Sequence, residues 1–506
     1  MIANQNMNSE KLFATNTTQS SKDNVLIVGG GPAGLATALM LAKRGWKNIT
    51  VLEKRPSADY YELDKSFSYQ IDGRGQKFTD FLDLTQQLST ISVPSTEFYL
   101  TTIKPNGSRK TFKLPIVDSK RKTAYWLPRR AFLLLLYQEI ERNWQNYIKV
   151  LFNTSCLQIN KIAINNAEEK LEIIVKQENG SIVRYEPNLL VGCDGLNSIV
   201  RNTLKEWDNQ SSSDRFEMKL FPSPSSGLRY KVLSLPPNLP LDHSGEEHAV
   251  STMAYAIRGA FKGRKRSVSL GLLPLKNPDE LRTANIITYP DHQIWELKNS
   301  EQLYDFLEPA FPQLPIHQIV SPQEADRFAQ SEGGSFPIPQ YCSGLHFLLK
   351  TNQSCATGIV LLGDAIHCFP PDIGQGVNSA LEDVCVLNEA LSRSNDDILQ
   401  ALPLYESLRL PDVKALVRLA QTAFPWQYNQ DPLRRNLWSV NFFLRLLLSR
   451  LLPFVFSSPA FLLIQNQQLS YQQIWAMAQR TTQILYLLGL IFILGYLAVV
   501  LKLAEI

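Results

Sequence analysis

The 506-residue sequence is poor in cysteine: six in all, none in a Cys-x-x-Cys pair. Cys156, Cys193, Cys342, Cys355, Cys368 and Cys385 follow neither a zinc-ligand spacing nor a disulfide framework. No metal site is expected, and the thiols read as buried residues of a protein in a reducing compartment. Charge excess is also missing. The formal net charge is +4, which argues against a dedicated nucleic-acid binder. The N-terminus lacks the apolar core of a secretory signal. Residues 1–23 carry no arginine and do carry Glu10 and Asp23. They read as a disordered tail, with an organelle transit peptide as the competing reading. No internal repeat and no long low-complexity tract is present. Only one Gly-x-Gly-x-x-Gly occurs, so a separate nicotinamide domain is not expected.

What the chain does hold begins at Val25-Leu26-Ile27-Val28, a short apolar run suited to a buried parallel strand. Gly29-Gly30-Gly31-Pro32-Ala33-Gly34 follows at once, then a helix-forming stretch from Leu35 to Arg44. A second strand, Ile49–Leu52, ends at Glu53, with Lys54 beside it. This is a βαβ unit of about 30 residues. Gly29 permits the tight turn, Gly31 lets backbone approach a pyrophosphate, and Gly34 allows close helix–sheet packing. The helix N-terminus favours phosphate charge. Glu53 is placed for a ribose 2′-OH, which selects FAD or NAD over NADP.

The length calls for two or three domains. The expected fold class is α/β: a Rossmann-like dinucleotide-binding domain, an interleaved β-sheet substrate domain and a C-terminal helical membrane-associated region. The first takes residues 24–75, 121–204 and 336–400. The second takes 76–120 and 205–335, where prolines and alternating apolar runs suggest a mostly antiparallel sheet. Helices are expected over 401–480. Residues 484–501 carry no charge and would span about 27 Å as a helix, which reads as a transmembrane tail anchor. The apolar stretch Trp438–Ile464, with Arg445, Arg450, Pro453 and Pro459, reads as interfacial helices on a membrane, with a core helical hairpin as the alternative.

Two later segments carry a resemblance. One is Leu190-Val191-Gly192-Cys193-Asp194-Gly195 through Ser198 to Arg201. The other is Gly363-Asp364-Ala365 through Pro370-Pro371 to Gly374-Gln375-Gly376-Val377-Asn378. With the glycine turn, they resemble single-component flavin monooxygenases of the p-hydroxybenzoate hydroxylase type. Further segments are similar to the kynurenine 3-monooxygenase family. These are Lys65–Gly75 with Arg74, Arg130-x-x-Leu133, and Tyr230-Lys231-x-Leu233 with Pro236-Pro237.

The resemblance implies FAD as cofactor and NAD(P)H as a transient co-substrate. Asp194 would lie near FAD, Asp364 would contact the ribityl chain, and Arg74 and Arg130 would stand on the flavin side. Pro371, Gly374, Gly376, Val377 and Asn378 would open a helix toward the flavin's N1–C2=O edge. Tyr99, Tyr230 and Pro370 are the expected substrate-side residues. Oxygen would be delivered from O2 through a flavin hydroperoxide, so no protein nucleophile is expected. His367 is the one acid–base candidate, with a packing role as the competing reading. The sequence departs from the family at Lys65, where arginine is usual. It also offers no arginine over Val93–Leu100, where the family clamps a substrate carboxylate. A small aromatic or lipid-like substrate is therefore expected, with kynurenine itself as the competing reading. The catalytic domain would face a reducing compartment, cytosol or stroma-like. The alternatives are an FAD-dependent reductase or dehydrogenase of an isoprenoid or quinone, and a non-catalytic membrane flavoprotein.

Overall fold

A computed structural model describes residues 23–62, 67–96, 99–113, 121–165, 168–208, 214–350, 356–428 and 431–504. The expected N-terminal tail up to residue 22, Lys65, Glu97 and Phe98 lie outside the described residues.

Short β-branched and leucine-rich runs assemble the main sheet. Its six strands stand in the order His346–Leu348, Gly358–Leu361, Leu189–Gly192, Asp23–Val28, Lys47–Leu52 and Ile148–Leu151. All neighbours are parallel except the antiparallel edge strand His346–Leu348. The two strands Leu189–Gly192 and Gly358–Leu361, covered on both faces, are apolar throughout, and Leu189–Val191 and Ile359–Leu361 are fully buried. The register places Val28 beside Leu52 and Gly192, and Gly192 beside Leu361. Four strand ends thus form one row, and the residues that follow them meet at one sheet edge. Ligands of open α/β sheets bind outside such an edge.

A second sheet has seven strands in the order Gly334–Ser335, Arg229–Leu235, Arg282–Thr288, Ser269–Leu272, Ala254–Arg258, Tyr99–Ile103 and Arg109–Lys113. It is antiparallel except where Ala254–Arg258 meets Tyr99–Ile103. Burial alternates along Arg282–Thr288, as expected of a sheet with one face on a core. Its core holds Leu233, Ile257, Leu270 and Ile286 with Phe306 and Phe328 from the helices Ser300–Ala310 and Pro322–Gln330.

Three long helices end the chain. Ile398–Thr422 accommodates Pro403 and Pro411. Pro432–Leu451 stops before Pro453, and the short helix Ala460–Leu463 starts after Pro459. The last helix, Tyr471–Ala504, is longer than the uncharged run predicts. Tyr471 and Ile474 are buried with Ile373, Leu416, Leu419 and Ile464, which fixes its start. From Tyr486 to Leu501 its large apolar side chains are exposed. Residues Tyr471–Leu501 are long and apolar enough to cross a membrane, and none of their most apolar window is buried.

Candidate functional site

The glycine turn after Val28 shows why each glycine is needed. Gly29 has φ +104°, and a Cβ there would stand 2.4 Å from the Cys193 carbonyl oxygen. At Gly34 a Cβ would lie 1.8 Å from the Gly29 oxygen, so helix and turn touch directly. Gly31 differs, because a Cβ there would meet nothing within 4 Å. It faces open space. The helix Pro32–Lys43 starts at this point with no side-chain cap. Pro32 has no N–H to satisfy, and Ala33 is buried beneath the turn. The first turn's remaining N–H groups suit an anion. Glu53 is buried at the adjoining strand end. Its Oε2 accepts the Gly30 N–H at 2.8 Å and its Oε1 the Arg55 N–H at 2.8 Å, while Lys54 is exposed.

The other two motifs lock onto this turn. Asp194 accepts the N–H groups of Ile199 and Val200 at 2.6 and 3.3 Å, and so caps the following helix. Arg201 donates to the carbonyls of Leu196 and Ala365 at 2.7 and 3.0 Å, joining the Asp-Gly segment to the Gly363 turn. Gly363 has φ +64°, and its Cβ would lie 3.2 Å from Ala33 Cβ and 3.5 Å from Ala380 Cβ. It sits between the starts of two helices, Pro32–Lys43 and Gly376–Arg393. Asp364, next in sequence, is solvent-accessible. Surrounding protein nonetheless pushes its carboxyl above the usual range, mainly by desolvation. Asp364 thus stands open to solvent with protein packed around its carboxyl.

Behind the turn lies a buried ionic network that sequence reading missed. Asp383 accepts the Gly363 N–H at 2.7 Å, contacts His367 Nε2 at 3.0 Å and pairs with Arg409 Nε at 2.6 Å. Arg409 Nη1 donates to Glu382 at 2.9 Å, and Arg74 Nη1 donates to the same carboxylate at 2.6 Å. Burial acts to raise both acids, but His367 and Arg409 hold Asp383 low, and Arg409 and Arg74 hold Glu382 low. His367 is buried and hydrogen-bonded to Asp383 here. Arg74 is drawn into the same network. Its Nη2 donates to the Asn466 and Leu469 carbonyls, and its guanidinium lies 4.0 Å from the Tyr471 ring centroid. It therefore links the helices Gly73–Phe81 and Gly376–Arg393 to the last helix.

The loop before Gly376 is open as well. Gly374 (φ +64°) and Gly376 both face open space, and Pro371 is exposed. The 18-residue helix Gly376–Arg393 has no side-chain cap, so its first N–H groups suit a second electron-rich partner. Val377 is buried. Asn378 accepts the Asp72 N–H at 3.1 Å and donates to the Gln70 carbonyl at 2.9 Å, so it braces the loop from behind. Gln375 donates to Asp72 at 2.8 Å and accepts from the Tyr471 hydroxyl at 2.7 Å.

Of the two arginines opening the helix Arg129–Glu139, Arg129 is turned inward. It donates to Glu62 at 3.1 Å and hydrogen-bonds Tyr69. Burial disfavours its charge, but Tyr69 and Glu62 outweigh that, and its field also lowers Asp364. Arg130 is over a third exposed and pairs with Glu280 at 3.0 Å. The three expected substrate residues do not form one cluster. Tyr230 packs tilted against Phe336 with ring centroids 5.5 Å apart, and Phe336 meets Tyr428 edge-on with centroids 5.5 Å apart. Pro370 is buried. Tyr99 is exposed and lies four strands away from Tyr230 in the sheet, roughly 19 Å at ordinary strand spacing. Asp372, unnoticed in the sequence, is buried beside this aromatic group. It accepts from the Ser225 hydroxyl at 2.7 Å, and burial pushes its carboxyl up to about 7.

Gly31, Asp364, Gly374 and Gly376 together offer open positions and two uncapped helix ends on either side of the Gly363 turn, which fits a flavin dinucleotide. The family described as FAD binding domain matches residues 22–222 and 351–420. Kynurenine 3-monooxygenase of Legionella pneumophila (strain Corby) is 25% identical over 412 residues, covering 78% of each chain. The Anopheles gambiae enzyme of that name is 25% identical over 442 residues, covering 87% of this chain and 80% of its own. Among solved structures, aklavinone-11 hydroxylase with FAD and aklavinone superposes with a TM-score of 0.56 at 18% identity, over 82% of this chain and 70% of that one. FAD is thus the cofactor, with NAD(P)H as co-substrate of enzymes of this type. The chain belongs to the FAD-binding-domain family and is an FAD-dependent monooxygenase similar to kynurenine 3-monooxygenase.

Proposed function

We propose that this protein is a membrane-associated monooxygenase that uses NAD(P)H and O2 to hydroxylate a small aromatic or lipid-like substrate. FAD, when bound, supplies hydride acceptance and O2 activation. The chain's own residues bind and orient. The turn at Gly31 and the helix start at Pro32 would take the pyrophosphate, with Glu53 beside it, and Asp364 would face the ribityl hydroxyls. Gly374–Gly376 would meet the redox-active edge.

The observation that carries the reading is the pair of uncapped helix ends, at Gly31 and Gly376, on either side of Gly363. On the substrate side, Tyr230, Phe336 and Tyr428 form an aromatic wall beside Asp372. An aromatic wall suits a flat, weakly polar molecule. The described residues of Val93–Leu100 hold no arginine, so a kynurenine-type carboxylate clamp has no donor there. The exposed apolar helix end supports membrane association.

The test is substrate-stimulated NAD(P)H oxidation coupled to incorporation of one atom from isotopically labelled O2. Anaerobic turnover giving unchanged product would replace the reading with a reductase of an isoprenoid or quinone. Tight FAD binding with no oxygen use across a broad aromatic and lipid screen would overturn it.

A further inference from the structure

The helix Pro432–Leu451 exposes a stripe the fold does not cover. Leu433, Leu437, Val440, Leu444, Leu447 and Leu451 are all exposed, and their spacing of three and four residues puts them along one helix face. Phe454, just beyond the helix, is 94% exposed. The opposite face, with Leu446 and Ser449, is buried. A bare apolar stripe of this length on a soluble surface marks an interaction site.

Two further observations name what covers it. First, the stripe is continuous with the exposed part of the last helix. Arg445 donates to Thr482 at 3.0 Å, and Ser457 hydrogen-bonds Thr481 at 2.9 Å. These ties sit just before the exposed run that opens at Tyr486. The two apolar surfaces therefore meet at one level. Second, the charge is one-sided. Beyond Asp431, which caps the helix and pairs with Arg434 at 3.6 Å, no acidic residue occurs up to Ala504, while Arg434, Arg435, Arg445, Arg450 and Arg480 precede the run and Lys502 follows it. Arginines flanking an apolar face on a helix match a surface of anionic lipid headgroups. A concentration of cations on this side of a span also places that side in the cytoplasm-facing leaflet.

We infer that Pro432–Leu451 and Phe454 form a second, in-plane membrane contact that lies flat on an anionic lipid surface, beside the span made by the last helix. This rests on the proposed membrane association and adds its orientation. Tyr471, bonded to Gln375 at the cofactor loop, precedes Ile484 by 13 residues of continuous helix. That is roughly 20 Å of rise. The two contacts would hold the cofactor cleft at that height above the bilayer with a fixed face downward, where a span alone would leave the domain free to turn.

The test uses the full chain carrying Phe454→Trp in vesicles of phosphatidylcholine, with or without phosphatidylserine, containing lipids brominated near the headgroup. The expected result is loss of the added tryptophan emission, greater with phosphatidylserine. Replacing Arg434, Arg435 and Arg450 by glutamine removes the difference between the two vesicles. Emission that stays unquenched while the protein resists alkaline extraction would overturn the in-plane contact and leave the span standing. Extraction together with unquenched emission would overturn both. Unquenched emission with concentration-dependent cross-linking of the stripe would assign it to a second copy instead. Equal quenching in both vesicles would overturn the headgroup preference.

Discussion

Two glycines of one turn should fail in different ways when each is replaced by alanine. At Gly34 the new Cβ would lie 1.8 Å from the Gly29 oxygen, well inside contact distance. Relief requires the first helix to move off the sheet edge by an ångström or more. Overpacking of this kind costs about 1–3 kcal/mol, and more where backbone must move. Gly34→Ala should therefore destabilise the protein before any cofactor is added. At Gly31 the backbone is extended (φ −76°, ψ −175°) and the Cβ would meet nothing within 4 Å. Two small effects oppose there. Alanine restricts the unfolded chain, worth about 0.4–1 kcal/mol, and is a poorer helix N-cap by a similar amount. Apoprotein stability should change by less than about 1 kcal/mol, while the methyl group occupies the space where the pyrophosphate would approach. FAD affinity should fall sharply. Thermal unfolding of both apoproteins followed by circular dichroism, and FAD titration by flavin fluorescence, separate the two. If Gly31→Ala binds FAD as the parent does, the cleft assignment is wrong. If it unfolds as easily as Gly34→Ala, the open space at Gly31 is wrong.

Removing Asp383 as alanine leaves Arg409 buried with one partner fewer and frees the Gly363 N–H. A loss of about 3–5 kcal/mol is expected in denaturant unfolding, and a loss below about 1 kcal/mol would contradict the buried network. Asp372 carries a pH signature. Its folded carboxyl titrates at about 7 against an ordinary 3.8, so the folded state holds the proton. The stability linked to that proton is complete below about pH 4 and is lost as pH rises through 7, about 4 kcal/mol in all. Wild type should lose about 3 kcal/mol relative to Asp372→Asn between pH 5 and pH 8. Parallel pH profiles for the two proteins would sink the reasoning. Truncation after Arg480 should move the protein toward the soluble fraction. Unchanged sedimentation would assign membrane retention to Pro432–Leu451.

What could be read from the chain was local. The strand, glycine turn, helix and Glu53 occupy about 30 consecutive residues, and their hydropathy pattern is self-contained. The Gly363–Asn378 segment was legible for the same reason. The ionic network was not, because Asp383 meets Gly363, His367, Arg409 and, through Glu382, Arg74 only after the helices pack. The inward arginine was missed by one position. Ala124–Pro128 runs directly into the helix, so Arg129 rather than Arg130 takes the inner face. Tyr99 and Tyr230 each lie on a strand, but their separation depends on strand order, which periodicity does not encode. The last helix begins at Tyr471, ahead of the uncharged run at 484–501, because glutamines, Arg480 and threonines lower the hydropathy of its first turns while Tyr471 and Ile474 anchor it.

The bond from Tyr471 to Gln375 has a consequence for the order in which the protein is made. About 110 residues separate Leu361, the last buried parallel strand, from Tyr471. At roughly 5–20 residues per second this is roughly 5–20 s of translation. During that interval the strands of the main sheet are all synthesised, yet Arg74 lacks its carbonyl partners at Asn466 and Leu469, and Ile373 lacks its cover. The ribosome thus delivers the cofactor loop before the segment that braces it from behind. The bracing segment is the same one that leads into the apolar helix.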